Sequence, residues 1–224
     1  MIPLRDTVRS RNKPIATYII ITINVLVFLY QFNVPREVVG EMTFNYGFIP
    51  IRFIQNLFNP FAYIPLITNI FLHGSLIHLL GNMWSLWIFG DNIEDKMGPI
   101  RFTIFYLLTG VIATIFHMLS DVNSYVPVIG ASGAIAGVMG AYFLMFKNSR
   151  VLTIIPFFPF FFPIPAQIFL IIWFLTQLTS GISSGIAGMS QNIAWWAHIF
   201  GFLGGVFLHK IFIKRNYPNR SNIL

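Results

Sequence analysis

Apolar residues dominate six stretches of the chain, and short polar segments separate them. The stretches are residues 15–32, a second run that ends near Phe89, and residues 100–119, 132–146, 166–181 and 194–212. Runs of this kind are typical of helices that cross a bilayer, whose apolar core is about 30 Å thick. The pattern therefore predicts an all-α polytopic membrane protein with six transmembrane helices.

Charge and proline mark the segments between the predicted helices. Residues 1–14 are basic, and residues 33–62 mix charges with aromatic side chains, which favours a segment at the membrane interface. Residues 151–165 contain four prolines, which exclude a regular helix. Because no repeat or linker divides the chain, we expect one membrane domain over residues 1–224, with a cytoplasmic N-terminal segment at 1–14 and a cytoplasmic tail at 213–224.

Composition supports a membrane location and narrows the chemistry. Apolar residues make up 56% of the 224 residues, charged residues make up only 9%, and the mean hydropathy is +0.72. The chain has no cysteine, which excludes disulfides, a cysteine nucleophile and thiolate metal ligands. We interpret the net charge of +7 as the basic flanks of membrane helices and expect no nucleic-acid partner.

The distribution of the basic residues predicts the orientation. Twelve of the fourteen Lys and Arg residues lie in the N-terminal segment, the 90–101 and 147–150 loops and the C-terminal end of the chain from Lys210 onward, and the other two are Arg36 and Arg52. Cytoplasmic flanks carry the excess of basic residues in membrane proteins. We therefore expect an integral protein of the cell (plasma) membrane with both termini in the cytoplasm.

A few polar residues fall inside the predicted spans at a common depth. Such residues are costly in a bilayer and are candidates for function. Counted from the first charge at the cytoplasmic end of its span, His78 is 13 residues away, Ser132 is 15 and His198 is 12. At 1.5 Å per residue, these separations are about 18–22 Å. The three side chains are therefore predicted to lie together, about 10 Å below the outer membrane surface.

Ser132 and His198 form a candidate nucleophile and base. A serine hydroxyl becomes a good nucleophile when a base takes its proton, and histidine is the commonest such base. None of the seven acidic residues lies within a span. An acid that would complete a triad is therefore missing, and we expect a dyad.

Donors for a developing oxyanion are also present. His78 and Asn82 are four residues apart, so they share one face of a helix. Their ring and amide N–H groups, and the backbone N–H of Ser132 at a predicted helix N-terminus, are suitable donors.

Small residues follow the two predicted helices that carry the serine and the histidine. Faces with a small residue at every fourth position let membrane helices approach closely. A glycine just before the serine also frees the backbone there. The glycines concerned are Gly130, Gly133, Gly137, Gly201 and Gly205.

Several of these residues also have a purely structural interpretation. Ser132 alone could serve helix packing, and His198 could be a buried histidine with its hydrogen bonds satisfied. His78 and Asn82 could together join two helices.

Two further interpretations concern groups of residues. His73, His78 and His198 could bind a metal, although no HExxH motif and no carboxylate accompany them. The tryptophans at 195–196 and the phenylalanines of 157–162 are interpreted as anchors at the membrane interface.

Three motifs resemble those of the rhomboid intramembrane serine proteases, of the bacterial type with a six-helix core. They are HGSLIHLLGNM from His73, GASGAIAGVMG from Gly130 and AHIFGFLGG from Ala197. Their order and the predicted spans extend the resemblance over nearly the whole chain. One departure is Ile64-Pro65, which stands where many rhomboid proteases carry a Trp-Arg pair before the second span.

The resemblance implies a role for each candidate residue. Ser132 would be the nucleophile, His198 its base, and His78 and Asn82 the support for the oxyanion. The implied fold is a rhomboid-like bundle of six helices.

The expected activity is that of a serine endopeptidase that cleaves transmembrane segments of membrane proteins within the lipid bilayer. Because hydrolysis needs water, we expect a wet site that opens to the outer face, and the mechanism requires no metal or cofactor. One alternative is a catalytically inactive rhomboid-like protein that binds membrane proteins, although such relatives typically lack the serine or the histidine. Another is a small transporter or channel, although the spans show no duplicated half. The pattern does not predict the oligomeric state.

Overall fold

The structure is a computed structural model that describes residues 1–155, 158–186 and 194–214, and helices make up most of it. The predicted C-terminal tail from residue 215 onward and Phe157 lie outside the described residues. Within them, the α-helices are α1 (Ile15–Asn33), α2 (Arg36–Tyr46), α3 (Pro50–Gln55), α4 (Pro65–Thr68), α5 (Leu76–Met97), α6 (Pro99–Met118), α7 (Ser132–Met145), α8 (Ala166–Ile186) and α9 (Trp195–Phe212). Short 3₁₀-helices cover Pro60–Tyr63 and Asn69–Phe71, and the strands are β1 (Ile2–Asp6), β2 (Arg150–Ile155) and β3 (Phe158–Pro165).

The predicted apolar stretches coincide with α1, α5, α6, α7, α8 and α9. Among the described helices, α1, α6 and α8 are each long and apolar enough to cross a membrane. The segment Pro60–Phe71 and α5 meet at 83° and together form a possible fourth, bent span. The arrangement with six spans stays a prediction.

Helix α7 lies at the centre of the bundle. It contacts α5, α6, α8 and α9, and its contact with α9 is the most extensive between any two of the elements. Ten of its 14 residues are buried, and many of these are glycine or alanine. At 1.5 Å per residue, α7 is about 21 Å long, which is shorter than the apolar core of a bilayer.

Helix α5 is two turns longer than the apolar pattern predicts. The pattern ends near Phe89, but the helix continues to Met97 because its carboxylates are bonded inside the protein. Glu94 is only 3% exposed. It accepts hydrogen bonds from the backbone N–H groups of Ala16 and Thr17, at 2.9 and 2.8 Å, and from the Thr17 hydroxyl at 2.8 Å. These N–H groups belong to the first turn of α1, so a carboxylate from α5 caps α1.

A three-stranded antiparallel sheet corrects the prediction of an all-α chain. The strand order is β1-β2-β3. The prolines of residues 151–165 exclude a helix, as expected, but they are compatible with β3 because β3 is an edge strand. The strand β1 forms the other edge from within the predicted N-terminal segment. Its partner β2 lies far along the chain, so no local pattern indicates the pairing.

Asp6, at the end of β1, lies in a polar cluster under this sheet. The Tyr142 hydroxyl donates a hydrogen bond to it at 2.5 Å, and the Asn92 amide donates another at 2.9 Å. Burial raises the pKa of the Asp6 carboxyl to about 6, the hydrogen bond from Tyr142 opposes this rise, and the nearby carboxylate of Asp91 adds to it.

We expect the contribution of Asp6 to the stability of the fold to decrease as the pH rises from about 4 to about 6. The pKa of Asp6 is raised from the usual 3.8 to about 6, so in this window the folded protein holds a proton that the unfolded chain has released. Protonation therefore favours the folded state. In Asp6→Asn, the melting temperature should stay near the wild-type value at pH 4 and exceed it by a growing amount as the pH approaches 6, because asparagine cannot ionise. Melting curves of both proteins in detergent from pH 4 to 7 measure this difference, and a difference that does not change with pH would exclude the raised pKa of Asp6.

Candidate active site

Ser132 and His198 form a hydrogen bond between two helices. Ser132 is the first residue of α7, and His198 lies in the first turn of α9. The Oγ atom of Ser132 is 2.8 Å from Nε2 of His198, which is within the range for proton transfer. Both side chains are partly exposed. The arrangement joins a hydroxyl to an imidazole, the pair that nucleophilic catalysis requires.

Glycines allow the backbones of α7 and α9 to approach each other closely. A Cβ atom at Gly201 would overlap the carbonyl of Gly133, and one at Gly205 would overlap the carbonyl of Gly137. The same side of the bundle includes α6, where a Cβ atom at Gly137 would overlap Thr109. Backbone packing of this kind holds the serine and the histidine, one near the start of each helix, at hydrogen-bond distance.

Gly130 shapes the turn that leads into α7. Its φ of +119° is strained for residues with a side chain, and its N–H donates to the carbonyl of Asn69 at 2.8 Å. A Cβ atom at this position would lie only 2.7 Å from the ring of His78. Glycine therefore allows the His78 ring to lie beside the turn that presents Ser132.

His78 and Asn82 both lie next to this turn. His78 is half-buried, and Asn82 is buried with its Nδ2 atom 2.9 Å from Nε2 of His73. The Asn82 amide donates one N–H to that ring nitrogen when His73 carries its proton on Nδ1, and it keeps a second N–H. The rings of His73 and His78 meet edge to face, with their centroids 5.0 Å apart. Asn82 is thus held by His73 and still retains one donor.

Three residues that surround His198 were not assigned to the site by the sequence pattern. The Nδ1 atom of His198 is 2.8 Å from Oε1 of Gln177, a buried residue of α8. The rings of Trp173 and Trp195 lie with their centroids 6.2 and 6.1 Å from that of His198. Trp195, interpreted from the sequence as an interface anchor, therefore also contacts the histidine ring. The sequence does contain one signal for Gln177, because a large polar side chain within an apolar helix is a candidate for function.

A cleft of about 1030 Å³ opens beside the site. Its walls come from the start of α5, the end of α6 with the loop that follows, the end of α8 and the start of α9. His78 and His117 line it, although the sequence pattern assigns no role to His117. A separate void of about 10 Å³ touches Ser132 and shares wall residues such as Ala194 with the cleft. The cleft, which reaches His78, therefore has room for water and for an extended chain, whereas Ser132 borders the small void.

The histidines near Ser132 contact different partners. His198 bonds Ser132 and Gln177, whereas the rings of His73 and His78 contact each other. Within the part of the chain that the structure describes, no three His, Asp or Glu side chains converge as metal ligands would. The carboxylates of α5 lie at the end of that helix remote from His78.

The fold is that of a mostly helical membrane protein, and comparison with known proteins identifies its family. A sequence model of the Rhomboid domain matches residues 60–215, which is more than half of the chain. YdcA of Bacillus subtilis (strain 168), whose name assigns it to the rhomboid proteases, is 32% identical over 160 residues, which are 67% of this chain and 67% of YdcA. The chain therefore belongs to the rhomboid family, and the resemblance carried by the three motifs is confirmed.

Two further relatives are longer than the region they share with this chain. The rhomboid protease GluP of Bacillus subtilis is 30% identical over 199 residues, which cover 88% of this chain but 35% of GluP. The human presenilin-associated rhomboid-like protein of mitochondria is 35% identical over 99 residues, which cover 43% of this chain and 26% of that protein. The matches thus cover only about a third or less of these two relatives. The protease names of YdcA and GluP support a protease.

Proposed function

We propose that the protein is an intramembrane serine endopeptidase in which Ser132 is the nucleophile and His198 is its base. The observation that carries the proposal is the 2.8 Å hydrogen bond between Ser132 Oγ and His198 Nε2. Family membership supports it, because two of the aligned relatives are named as rhomboid proteases.

The proposed reaction follows the chemistry of acyl transfer. Ser132 Oγ attacks the scissile carbonyl carbon while His198 Nε2 accepts the hydroxyl proton. The imidazolium then donates this proton to the leaving amine, and the acyl group remains on Ser132. A water molecule, deprotonated by the same imidazole, hydrolyses the ester and restores both side chains. These steps require no metal and no cofactor.

Three donors near the turn at Gly130 suit the oxyanion of the tetrahedral intermediate. The backbone N–H of Ser132 is at the start of α7 and has no partner within the helix. The ring of His78 lies beside the turn, and Asn82 keeps one amide N–H after bonding His73. Preorganised donors of this kind favour the transition state over the bound substrate.

The proposed substrates are transmembrane segments of membrane proteins with small or helix-weakening residues near the outer face. A helix in lipid bonds its carbonyls internally, so a substrate must unwind locally before attack. The cleft of about 1030 Å³ supports the proposal of a locally unwound substrate, because it has room for an extended segment and water. With six spans and both termini in the cytoplasm, the cleft would open at the outer face of the cell membrane.

A serine-reactive fluorophosphonate probe tests the proposal. The full chain in detergent should form one covalent adduct, which peptide mapping should assign to Ser132. Transmembrane reporters reconstituted with the protein in vesicles should be cleaved. Capture of uncleaved reporters without any labelling would overturn the proposal and indicate an inactive membrane-protein binder.

The oxyanion donors have a separate kinetic test. Asn82→Ala should lower kcat by about 10²–10³-fold with little change in KM, because a donor to the oxyanion acts mainly in the transition state. His78→Ala should have the same effect but a weaker one, since its ring also packs beside Gly130. Asn33→Ala, at an exposed asparagine of α1, is the matched control and should leave kcat unchanged.

Turnover in vesicles is measured beside a melting curve for each of these variants. If the variants at positions 78 and 82 melt far below the wild type while kcat per folded molecule is unchanged, the two residues are structural. The oxyanion would then rely on the backbone N–H of Ser132 alone.

A further inference from the structure

The imidazole of His198 is bonded at both nitrogens by residues of two different helices. Nε2 is 2.8 Å from the Ser132 hydroxyl of α7, and Nδ1 is 2.8 Å from Oε1 of Gln177 of α8. Gln177 is 7% exposed, so this bond is largely shielded from solvent. The second bond has no counterpart in the dyad expected from the sequence.

The other hydrogen bonds of Gln177 determine which way its amide points. Its Nε2 atom donates to the carbonyl of Trp173 at 3.2 Å and to the hydroxyl oxygen of Thr176 at 3.1 Å. The Thr176 hydroxyl itself donates to the Trp173 carbonyl at 2.6 Å, so its oxygen is free to accept. The NH₂ group of Gln177 is therefore satisfied on α8, and the carbonyl oxygen faces His198.

A carbonyl oxygen can only accept, so Nδ1 of His198 must carry the proton. In the neutral ring, Nε2 then has a lone pair directed at the Ser132 hydroxyl, which is the state that a general base requires. The rings of Trp173 and Trp195 also contact the imidazole. They orient its plane, but only the hydrogen bond that Nδ1 donates to Gln177 distinguishes the two nitrogens.

We propose that Gln177 is a positioning residue that holds His198 in the Nδ1–H tautomer and stabilises its imidazolium form during proton transfer. The proposal rests on the proposed serine peptidase mechanism. As Ser132 Oγ transfers its proton to Nε2, the Nδ1 atom retains its own proton. The Nδ1–H group stays hydrogen-bonded to the Gln177 oxygen throughout. When Nε2 later gives its proton to the leaving amine, the bond to Gln177 returns the ring to the same tautomer.

A neutral amide suits this position in a membrane helix. The corresponding partner of the histidine is an acid in many soluble serine hydrolases, whereas papain-like proteases use an asparagine. An ionised carboxylate in the middle of α8 would be costly to bury in a bilayer. The dipole of an amide carbonyl can orient the ring without that cost.

Gln177→Leu removes the acceptor and keeps a side chain of similar size. We expect kcat to fall by about 10–10²-fold with KM changed less than about twofold, because the imidazolium loses its hydrogen bond mainly in the transition state. Gln167→Leu makes the same change on the same helix, where the amide only donates to the Phe143 carbonyl at 3.4 Å. This control should keep wild-type kcat and pH dependence.

The pH profile of kcat/KM separates positioning from general support of the fold. Its acidic limb reports protonation of the free base. In Gln177→Leu the limb should move to lower pH, because the imidazolium is less stable. In Gln177→Glu a carboxyl oxygen can accept from Nδ1 in either protonation state, so kcat should recover in part and the limb should lie at or above the wild-type pH. Profiles that match the wild type in both variants would overturn the proposal.

A spectroscopic measurement does not depend on activity or on the folding of the leucine variant. Two-bond ¹H–¹⁵N spectra of wild-type protein labelled at histidine, with His198 assigned by comparison with His198→Ala, should show the Nδ1–H tautomer at neutral pH. An Nε2–H tautomer would overturn the role of Gln177. Wild-type protein that fails to react with the fluorophosphonate probe would instead overturn the proposed peptidase function, so the two failures are distinguishable.

Discussion

Replacing Ser132 by alanine is expected to abolish reporter cleavage and fluorophosphonate labelling while the protein stays folded. The variant loses only the hydroxyl bonded to His198, and alanine is well tolerated in a helix. Loss of the nucleophile from a serine hydrolase lowers kcat by about 10⁶-fold, which here means down to background. The melting temperature should stay close to that of the wild type.

Turnover in vesicles and a melting curve, both measured on the same preparation, test this expectation. Ser85→Ala is the matched control, since the Ser85 hydroxyl only bonds the Gly81 carbonyl of its own helix. The control should cleave like the wild type. Substantial cleavage by Ser132→Ala would show that the nucleophile lies elsewhere.

The second large effect is expected from Gly205→Ala. The new Cβ atom would overlap the carbonyl of Gly137, so α7 and α9 must move apart. Overpacking of this kind costs about 1–3 kcal/mol, which corresponds to a decrease in melting temperature of roughly 3–10 °C for a chain of this size. Activity should fall by at least about 10²-fold, because a shift of about 1 Å between catalytic groups has that effect.

Gly81→Ala is the control for this prediction. Gly81 is also a helical glycine, but a Cβ atom there would meet nothing within 4 Å. Its melting temperature should be unchanged or slightly higher, since alanine is favoured over glycine in helices by about 1 kcal/mol. Equal melting temperatures for the two variants would mean that α7 and α9 do not depend on glycine for their contact.

The helix positions could be predicted from the sequence because they rest on local information. A run of apolar residues needs no distant partner to become a helix in lipid, so the bounds of α1, α6, α7 and α9 agree closely with the apolar stretches. The four prolines of residues 151–165 likewise excluded a helix through local backbone geometry alone.

Features that depend on distant partners could not be predicted in this way. From the sequence alone, the charged end of α5 is interpreted as a solvated loop. The structure shows instead that Glu94 accepts hydrogen bonds from the backbone N–H groups of Ala16 and Thr17. The sequence of β1 does not by itself indicate a strand, and the pairing with β2 becomes visible only in the structure.

The candidate site shows the same division. The motifs mark Ser132 and His198, and the structure brings these two side chains into hydrogen-bond contact. A polar residue such as Gln177 carries no motif, and its partner is known only once α8 and α9 are placed side by side. The sequence also does not predict the hydrogen bond between His73 and Asn82, because His73 is considered there only as a candidate metal ligand.

The cap that Glu94 provides for α1 has a consequence for how the protein is assembled. Ala16 and Glu94 are 78 residues apart, and the Rhomboid domain match begins only at residue 60. During synthesis, α1 therefore enters the bilayer before the carboxylate that satisfies its first turn has been made. Until then, water or lipid headgroups must bond those N–H groups. The first turn of α1 is therefore completed by a residue synthesised much later in the chain.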